Sequence, residues 1–215
     1  MYKAVIFDLD GTLLDSLNDI LSVLNDTLIF FGLPQITRAQ AQSYIGNGAR
    51  ELVRLAIGSA NSHRLDEILG YYKEKYSLCD NEHSQIYDGE DNALKALKSA
   101  GVKLAVLTNK PHAAALRANS IFFERYSFDC IFGQADGMPL KPDPTAVYKI
   151  LDELGVKKED CLFVGDGETD VKTAKNAGLD CVSVLWGYRS REQLRAAGAT
   201  AFAADYNELV KVILS

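Results

Sequence analysis

Short runs of apolar residues recur along the chain, and within each run almost every position is apolar. The first run covers residues 3–9 (KAVIFDL), and the others are 102–107 (VKLAVL), 161–164 (CLFV) and 181–185 (CVSVL). A strand that is apolar at consecutive positions is buried on both faces, as in a parallel sheet covered by helices. The four runs therefore predict strands of a parallel sheet.

Segments between these runs carry apolar residues at helical spacing, and each is followed by a glycine. They are residues 90–100, 144–154 and 168–177. Asp143 and Pro144 are the predicted N-cap and first residue of the second helix. Strands that alternate with helices indicate an α/β fold with an open, doubly wound parallel sheet.

Residues 16–80 break this alternation, because the pattern there is helical and contains no strand candidate. The predicted helices are residues 16–31, 38–45, 48–57 and 62–78. We interpret residues 16–84 as a small all-α cap domain inserted after the first strand. The core domain would then consist of residues 1–15 and 85–215.

Polar residues follow the first strand in the order Asp8-Leu9-Asp10-Gly11-Thr12. In open α/β sheets, ligands bind outside the carboxyl ends of the strands, which is where these residues lie. Gly11 permits a turn that would bring both carboxylates to one point. One carboxylate can then act as a nucleophile and the other as a general acid or base. A polar strand end with an Asp-Gly turn is an equally good local interpretation.

There are two further polar clusters. One begins at Thr108, directly after the second strand, and the other begins at Lys141, just before the helix predicted from residue 144. Thr108 and Asn109 offer a hydroxyl and an amide that can hydrogen-bond a phosphate oxygen at a helix N-terminus. They can equally well cap the helix that begins at Pro111. Lys141 stands beside a rigid Pro-x-Pro segment that would fix its position, although a solvated lysine is the simpler interpretation.

The fourth cluster is Gly165-Asp166-Gly167-Glu168-Thr169-Asp170, after the third strand. Asp166 and Asp170 are four residues apart across a helix start, so both can face one point. Their carboxylates suit Mg²⁺, a hard cation that takes oxygen ligands. Alternatively, Asp166 caps the helix, and Glu168 and Asp170 interact favourably with its dipole. The four clusters share one sheet edge, and together they supply what phosphoryl transfer needs.

Composition narrows the range of partners. The net charge is −6, the pI is about 5.1, and no run of basic residues occurs, which disfavours nucleic-acid binding. A small anionic substrate is compatible with a local positive charge. The four cysteines are scattered, no apolar stretch is long enough to span a membrane, and no signal peptide is recognisable, so we expect a cytoplasmic protein. Whether it is a monomer or a homodimer stays open.

The clusters resemble those of the haloacid dehalogenase-like hydrolase superfamily, in order and spacing. The matching segments are DLDGT at 8–12, LTN at 107–109, KPDP at 141–144 and GDGETD at 165–170. Within the superfamily the chain is most similar to phosphoglycolate phosphatases. That similarity rests on IGNGARELV at 45–53, TNKP at 108–111 and WGYR at 186–189. The resemblance implies a Rossmann-like core with a helical cap, and hydrolysis of a small phosphate ester such as 2-phosphoglycolate.

The resemblance also implies roles for individual residues. Asp8 would be the nucleophile and Asp10 the general acid and base. Thr108 would bind the phosphoryl group together with Asn109, and Lys141 would neutralise charge on Asp8 and on the phosphate.

A magnesium ion is implied as well. Asp8, the backbone carbonyl of Asp10 and Asp166 would hold it, with Asp170 in support. Four ionised aspartates against Lys141 and Mg²⁺ leave a charge of −1, which a phosphate dianion makes worse. A protonated Asp10 removes one negative charge and supplies a proton to the leaving group, while Asp8 is expected to stay ionised.

The cap is expected to set specificity. The Gly46-Asn47-Gly48 loop can approach a substrate backbone-first, and Arg50 is a candidate partner for a substrate carboxylate. A linker with a solvated Arg50 is the alternative. Glu168 is interpreted as a residue that favours the helix start.

Several other functions remain open. They are a pyrophosphatase, a nucleotidase, a β-phosphoglucomutase-like phosphomutase and, from another class, a non-catalytic binding module on the same fold. A dehalogenase is disfavoured, because its chemistry does not require a second aspartate at position 10.

Overall fold

The computed structural model describes residues 1–215 and contains a six-stranded, all-parallel sheet and a two-stranded antiparallel one. The strands are β1 (Ala4–Phe7), β2 (Leu14–Asp15), β3 (Gln85–Ile86), β4 (Lys103–Pro111), β5 (Cys130–Gln134), β6 (Cys161–Gly165), β7 (Asp180–Val184) and β8 (Ala201–Ala203). The large sheet has the order β5-β4-β1-β6-β7-β8. The order reverses beside β1, which places β1 at the topological switch point where ligands bind in such folds.

Ten α-helices accompany the strands. They are α1 (Leu17–Phe30), α2 (Arg38–Tyr44), α3 (Gly48–Ile57), α4 (Leu65–Ser77), α5 (Glu90–Ser99), α6 (His112–Ala118), α7 (Thr145–Leu154), α8 (Glu168–Ala177), α9 (Arg191–Ala196) and α10 (Tyr206–Leu214). The helix predicted from residue 144 begins one residue later, and Asp143 accepts a hydrogen bond from the backbone N–H of Thr145.

Helices cover both faces of the sheet, which explains why the central strands are apolar throughout. Val5 and Phe7 pack with α5 and α10, whereas Ala4 and Ile6 pack with α7 and α8 on the opposite face. Successive side chains of a strand point to opposite faces, so a strand between two helical layers needs apolar residues at every position. The predicted doubly wound α/β sheet is confirmed.

Two strands of the large sheet escaped the sequence-based prediction. These are β5 and β8, which lie at the two edges of the sheet. Only Cys130 of β5 and Ala203 of β8 are buried. An edge strand has a neighbour on one side only and is covered less completely, so it needs no continuous apolar run.

Strand β4 is longer than predicted. It was expected to end at residue 107, but it continues through Pro111 with an irregularity in its pairing to β5. Helix α6 begins at His112 and has no side-chain cap. The interpretation of Thr108 or Asn109 as a helix cap is therefore wrong.

Helices α1 to α4 pack around an apolar cluster that is separate from the two clusters flanking the sheet. Its largest fully buried side chain is Tyr72 of α4. Strands β2 and β3 lie at the two ends of this helical segment and pair with each other, Leu14 opposite Ile86. The division into a cap of residues 16–84 and a core remains a prediction. None of the helices is long and apolar enough to cross a membrane.

Candidate active site

The register of the three central strands determines where the polar clusters lie. Phe7 of β1 pairs with Val106 of β4 on one side and with Val164 of β6 on the other. The residues that follow these three positions therefore emerge side by side at the carboxyl edge of the sheet. Asp8 comes first after β1, Thr108 lies two residues beyond Val106, and Asp166 two residues beyond Val164.

Lys141 joins two of the aspartates. Its Nζ lies 2.8 Å from Asp8 Oδ1 and 2.6 Å from Asp170 Oδ1. Only 2% of the Lys141 side chain is exposed. A buried ammonium between two carboxylates is a fixed part of the site, so the interpretation of Lys141 as a solvated lysine is wrong.

Asp166 is held by residues from three segments. Its Oδ1 accepts a hydrogen bond of 3.1 Å from the Thr12 hydroxyl, and its Oδ2 accepts one of 2.7 Å from the backbone N–H of Tyr188. A Cβ added at Gly11, whose φ is +88°, would lie 2.4 Å from Asp166 Oδ2, and one added at Gly187 would lie 2.2 Å from Asp166 Cβ. Glycine at both positions lets two backbone segments close around this carboxylate.

The capping interpretation of Asp166 is wrong, because α8 begins two residues later with Gly167 as its N-cap. Asp170 does serve the helix start: its Oδ2 accepts a hydrogen bond of 2.9 Å from the backbone N–H of Gly167, while its Oδ1 faces Lys141. The Asp170 carboxylate thus both caps the N-terminus of α8 and contributes to the site.

Carboxylate oxygens of Asp8, Asp166 and Asp170 lie within 4.8 Å of one another. Burial, together with the charge of Asp170, raises the pKa of Asp8 to about 8 and that of Asp166 to about 7. Lys141 opposes the shift at Asp8 without cancelling it. The expectation that Asp8 stays ionised assumes contact with both Lys141 and Mg²⁺, and it stays a prediction. Three converging carboxylates with excess negative charge fit Mg²⁺. We call these aspartates and Lys141 the metal-side cluster.

Asp10 has a lysine of its own, which the sequence-based reasoning missed. Lys110 Nζ donates a hydrogen bond of 2.8 Å to Asp10 Oδ1, and the Ser16 hydroxyl donates one of 2.5 Å to the same oxygen. Lys110 also donates to the hydroxyl of Tyr76 in α4, and its side chain is 1% exposed. We call Asp10 and Lys110 the cap-side pair. The available signal was the place of Lys110 in the TNKP segment, two residues after Thr108.

Asn109 is oriented differently from the expectation for a phosphate ligand. Its Oδ1 accepts a hydrogen bond of 2.8 Å from the backbone N–H of Lys141. Its Nδ2 donates to the carbonyl oxygens of Gly46 and Lys141, at 3.0 and 3.1 Å. The amide is engaged at both ends, so in this conformation it fixes the backbone of Lys141 rather than facing a phosphate.

The predicted cap residues separate into two groups. Gly46 and Gly48 line the cavity beside Asp8 and Asp10, whereas the Asn47 side chain accepts a hydrogen bond of 3.2 Å from the Thr169 hydroxyl. Arg50 points away from the cavity: it forms a salt bridge of 2.7 Å with Asp66, and both side chains are more than half exposed. The structure thus brings the loop to the site but not Arg50.

Glu168 has a partner beyond the helix start. Its Oε2 lies 3.0 Å from Arg189 Nε, and the same guanidinium donates hydrogen bonds of 2.7 Å to the carbonyl oxygens of Gln42 and Ile45. Through Arg189, Glu168 helps to hold the helical segment against the sheet edge.

Two small cavities meet at Asp8 and Asp10. The first, of about 50 Å³, lies between the helical segment and the sheet edge and includes Thr108, Lys110 and Lys141 in its wall. The second, of about 30 Å³, lies over the metal-side cluster. A cavity that holds one water has a volume of about 10–15 Å³, so each of these two cavities has room for only a few atoms in this conformation.

A family model described as haloacid dehalogenase-like hydrolase matches residues 5–184. The match spans most of the chain, which belongs to this family of hydrolases.

Named relatives narrow the class. Phosphoglycolate phosphatase 1 of Pseudomonas aeruginosa is 34% identical over 218 residues, covering 97% of this chain and 78% of the relative. Phosphoglycolate phosphatase of Rhodospirillum rubrum is 36% identical and covers 97% and 90%. These relatives are phosphoric monoester hydrolases.

Solved structures agree on the fold. A structure from Lactobacillus delbrueckii subsp. bulgaricus has a TM-score of 0.90 and 29% identity, covering 99% of this chain and 98% of that one. The structure of a predicted phosphoglycolate phosphatase from Haemophilus somnus has a TM-score of 0.88 and 27% identity, covering 98% and 97%.

Proposed function

We propose that this protein is a magnesium-dependent phosphatase that hydrolyses a small phosphate monoester through an aspartyl-phosphate at Asp8. The observation that carries the proposal is the position of Asp8, whose carboxylate lies 2.8 Å from the buried Nζ of Lys141 and within reach of two further carboxylates. Lys141 orients the nucleophile and offers charge to the phosphoryl oxygens. Phosphatases among the relatives support the reaction class.

The two aspartates of the DLDGT segment take separate roles. Asp8 attacks phosphorus while Asp10 gives a proton to the leaving oxygen, and Asp10 then takes a proton from the water that hydrolyses the aspartyl-phosphate. Hydrogen bonds from Lys110 and Ser16 hold Asp10 in place. Thr108, whose side chain borders the same cavity as Asp8, binds the phosphoryl group.

Asp8, Asp166 and the backbone carbonyl of Asp10 would hold Mg²⁺, with Asp170 in support. The bound ion would supply positive charge for the phosphoryl group. Lys110 changes the charge count of the site before substrate binds: four ionised aspartates are balanced by two buried lysines and the divalent ion, so the sum is zero rather than −1. When a phosphate dianion binds, the proton that Asp10 later donates offsets one of the added negative charges.

2-Phosphoglycolate is the substrate that we propose, because it is small and relatives are named for its hydrolysis. A cavity of about 50 Å³ favours a short substrate. The four cysteines are free, which fits a reducing cytoplasm.

The proposal is tested with p-nitrophenyl phosphate and 2-phosphoglycolate, with and without Mg²⁺. We expect Mg²⁺-dependent hydrolysis, and an Asp8→Asn variant that loses at least about 10⁴-fold in kcat, as nucleophile variants of other hydrolases do. The wild type should form an acid-stable, hydroxylamine-sensitive phosphoenzyme, and the variant should not.

Asp26→Asn, which removes an exposed carboxylate of α1, is the matched control and should keep full activity. Undiminished turnover in Asp8→Asn would remove Asp8 from the mechanism. Hydrolysis of pyrophosphate or nucleoside monophosphates in preference to 2-phosphoglycolate would redirect the substrate assignment.

A further inference from the structure

We propose that Lys110 binds a second anionic group of the substrate, a carboxylate a few bonds away from the phosphate ester. This inference rests on the proposed function and deepens it, since it assigns the residue that selects an acid-bearing ester over a neutral one. The juxtaposition that carries it is a buried ammonium that faces both Asp10 and the cavity between the helical segment and the sheet edge.

The cavity beside Asp8 and Asp10 has two cations in its wall, Lys110 and Lys141. Lys141 lies between two carboxylates, those of Asp8 and Asp170. Lys110 faces one carboxylate, that of Asp10. Of the two lysines, Lys110 therefore has the larger remaining capacity for an anion.

The hydrogen bonds of Lys110 leave a donor free. An ammonium has three N–H groups. In Lys110 one donates to Asp10 and one to the hydroxyl of Tyr76, whose ring centroid lies 4.4 Å from Nζ. The third N–H has no protein partner among the hydrogen bonds of this side chain, which is almost fully buried. A buried donor without a partner is costly, and an anion in the cavity would satisfy it.

The rest of the cavity wall explains why an anion would be recognised strongly. Its helical-segment side is mainly apolar, with Ile20, Leu52 and Tyr72 among the lining residues. Apart from the hydroxyls of Tyr72 and Tyr76, this side of the wall offers a carboxylate few polar partners. A hydrogen bond to an ionised group is stronger in surroundings of this kind than in bulk water.

The two lysines contact aspartates that are close neighbours in the chain, which suits a short substrate. Lys141 contacts Asp8 and Lys110 contacts Asp10, and these aspartates are separated by one residue. A phosphoryl group at Asp8 and a carboxylate at Lys110 would therefore be held by neighbouring parts of one loop. Arg50, the carboxylate partner expected from the sequence, is paired with Asp66 outside this cavity.

A different role for Lys110 makes a different prediction. If Lys110 only orients Asp10, its loss should slow the hydrolysis of every ester by the same factor. If it also binds a carboxylate, its loss should slow an acid-bearing ester more than a neutral ester of the same length.

The test compares 2-phosphoglycolate with 2-hydroxyethyl phosphate, in which a hydroxymethyl group replaces the carboxylate. Values of kcat/KM are measured for the wild type, Lys110→Met, Lys110→Arg and Tyr76→Phe. The wild type should prefer 2-phosphoglycolate by at least about 10-fold, and Lys110→Met should lower this preference by about 10- to 100-fold, the range expected for a charge-assisted hydrogen bond. Lys110→Arg should retain part of the preference because it keeps the charge.

Tyr76→Phe keeps Lys110 but removes a neutral partner, so it should change the preference less than about 3-fold. Circular dichroism establishes that each variant is folded, and Lys110→Gln replaces Lys110→Met if the latter is not. An equal loss on both esters in the folded variant overturns the inference, as does a wild type without preference that still hydrolyses p-nitrophenyl phosphate through Asp8. A wild type inactive on all three esters overturns the proposed function itself.

Discussion

Two buried aspartate–lysine contacts lie side by side at the edge of the sheet, and they differ in charge balance and in origin. In the metal-side cluster, Lys141 faces Asp8 and Asp170, and carboxylate oxygens of these two and of Asp166 lie within 4.8 Å of one another, so three carboxylates share one lysine. In the cap-side pair, one carboxylate meets one lysine. The metal-side cluster comes from segments that follow strands of the large sheet or lie just before α7, whereas the cap-side pair also contacts α4.

The difference indicates what each region lacks. Burial, together with the charge of Asp170, raises the pKa of Asp8 to about 8 and that of Asp166 to about 7. Three carboxylates with one lysine leave the metal-side cluster short of a cation. The cap-side pair has one carboxylate for one lysine, and Lys110 retains a free N–H beside the cavity. We infer that the first region is completed by a metal ion and the second by the substrate.

Loss of Lys141 should have the largest effect. We expect Lys141→Met to lower kcat/KM by at least about 10²–10³-fold, because a preorganised charge that stabilises the transition state is removed. The loss should be equal for 2-phosphoglycolate and 2-hydroxyethyl phosphate, in contrast to Lys110→Met. Steady-state kinetics on both esters measures the loss in kcat/KM. A loss confined to the acid-bearing ester would contradict the separate roles proposed for the two lysines.

A smaller effect on activity is expected when Asp166 of the metal-side cluster is displaced by a change in the backbone segment that packs against it. A Cβ at position 187 would lie 2.2 Å from Asp166 Cβ, so Gly187→Ala should displace this carboxylate. We expect the Mg²⁺ concentration for half-maximal activity to rise by about 10- to 100-fold, the usual consequence of disturbing a metal ligand's support.

Gly70→Ala is the matched control, since a Cβ at this helical position meets nothing within 4 Å. It should leave Mg²⁺ activation unchanged. If both variants behave alike, the close approach of Gly187 to Asp166 has no part in metal binding.

The smallest effect requires no substitution. Because the folded-state pKa values of Asp8 and Asp166 lie above the ordinary value of 3.8, ionisation of these groups destabilises the metal-free fold as the pH rises from about 4 to about 8. Mg²⁺ binds the ionised carboxylates, so its stabilising effect should grow over the same interval.

Thermal unfolding with and without Mg²⁺ at pH 5 and pH 8 measures this growth. At pH 8, Mg²⁺ at about 100 times its Kd should add about 2.7 kcal/mol, which raises Tm by roughly 5–10 °C for a chain of this size. At pH 5 the shift should be much smaller. The same shift at both pH values would contradict the charge imbalance of the metal-side cluster.

Local sequence patterns were sufficient to predict the central strands of the large sheet. Residues 4–7 and 161–164 are apolar throughout because β1 and β6 are covered by helices on both faces, and such burial is visible in the sequence. The edge strands β5 and β8 are less covered and gave no such signal. Asp8, Asp166 and Asp170 were identified because their motifs follow buried strands.

The sequence by itself determined which strands lie at the centre of the sheet and which aspartates meet at its edge, because burial pattern and strand order are properties of short segments. Only the tertiary structure decided the partners of these groups. Lys110 reaches Asp10 across 100 positions of the chain, and Arg50 turns to Asp66 rather than to the cavity. Such pairings depend on the direction of each side chain after packing, and no local pattern encodes that direction.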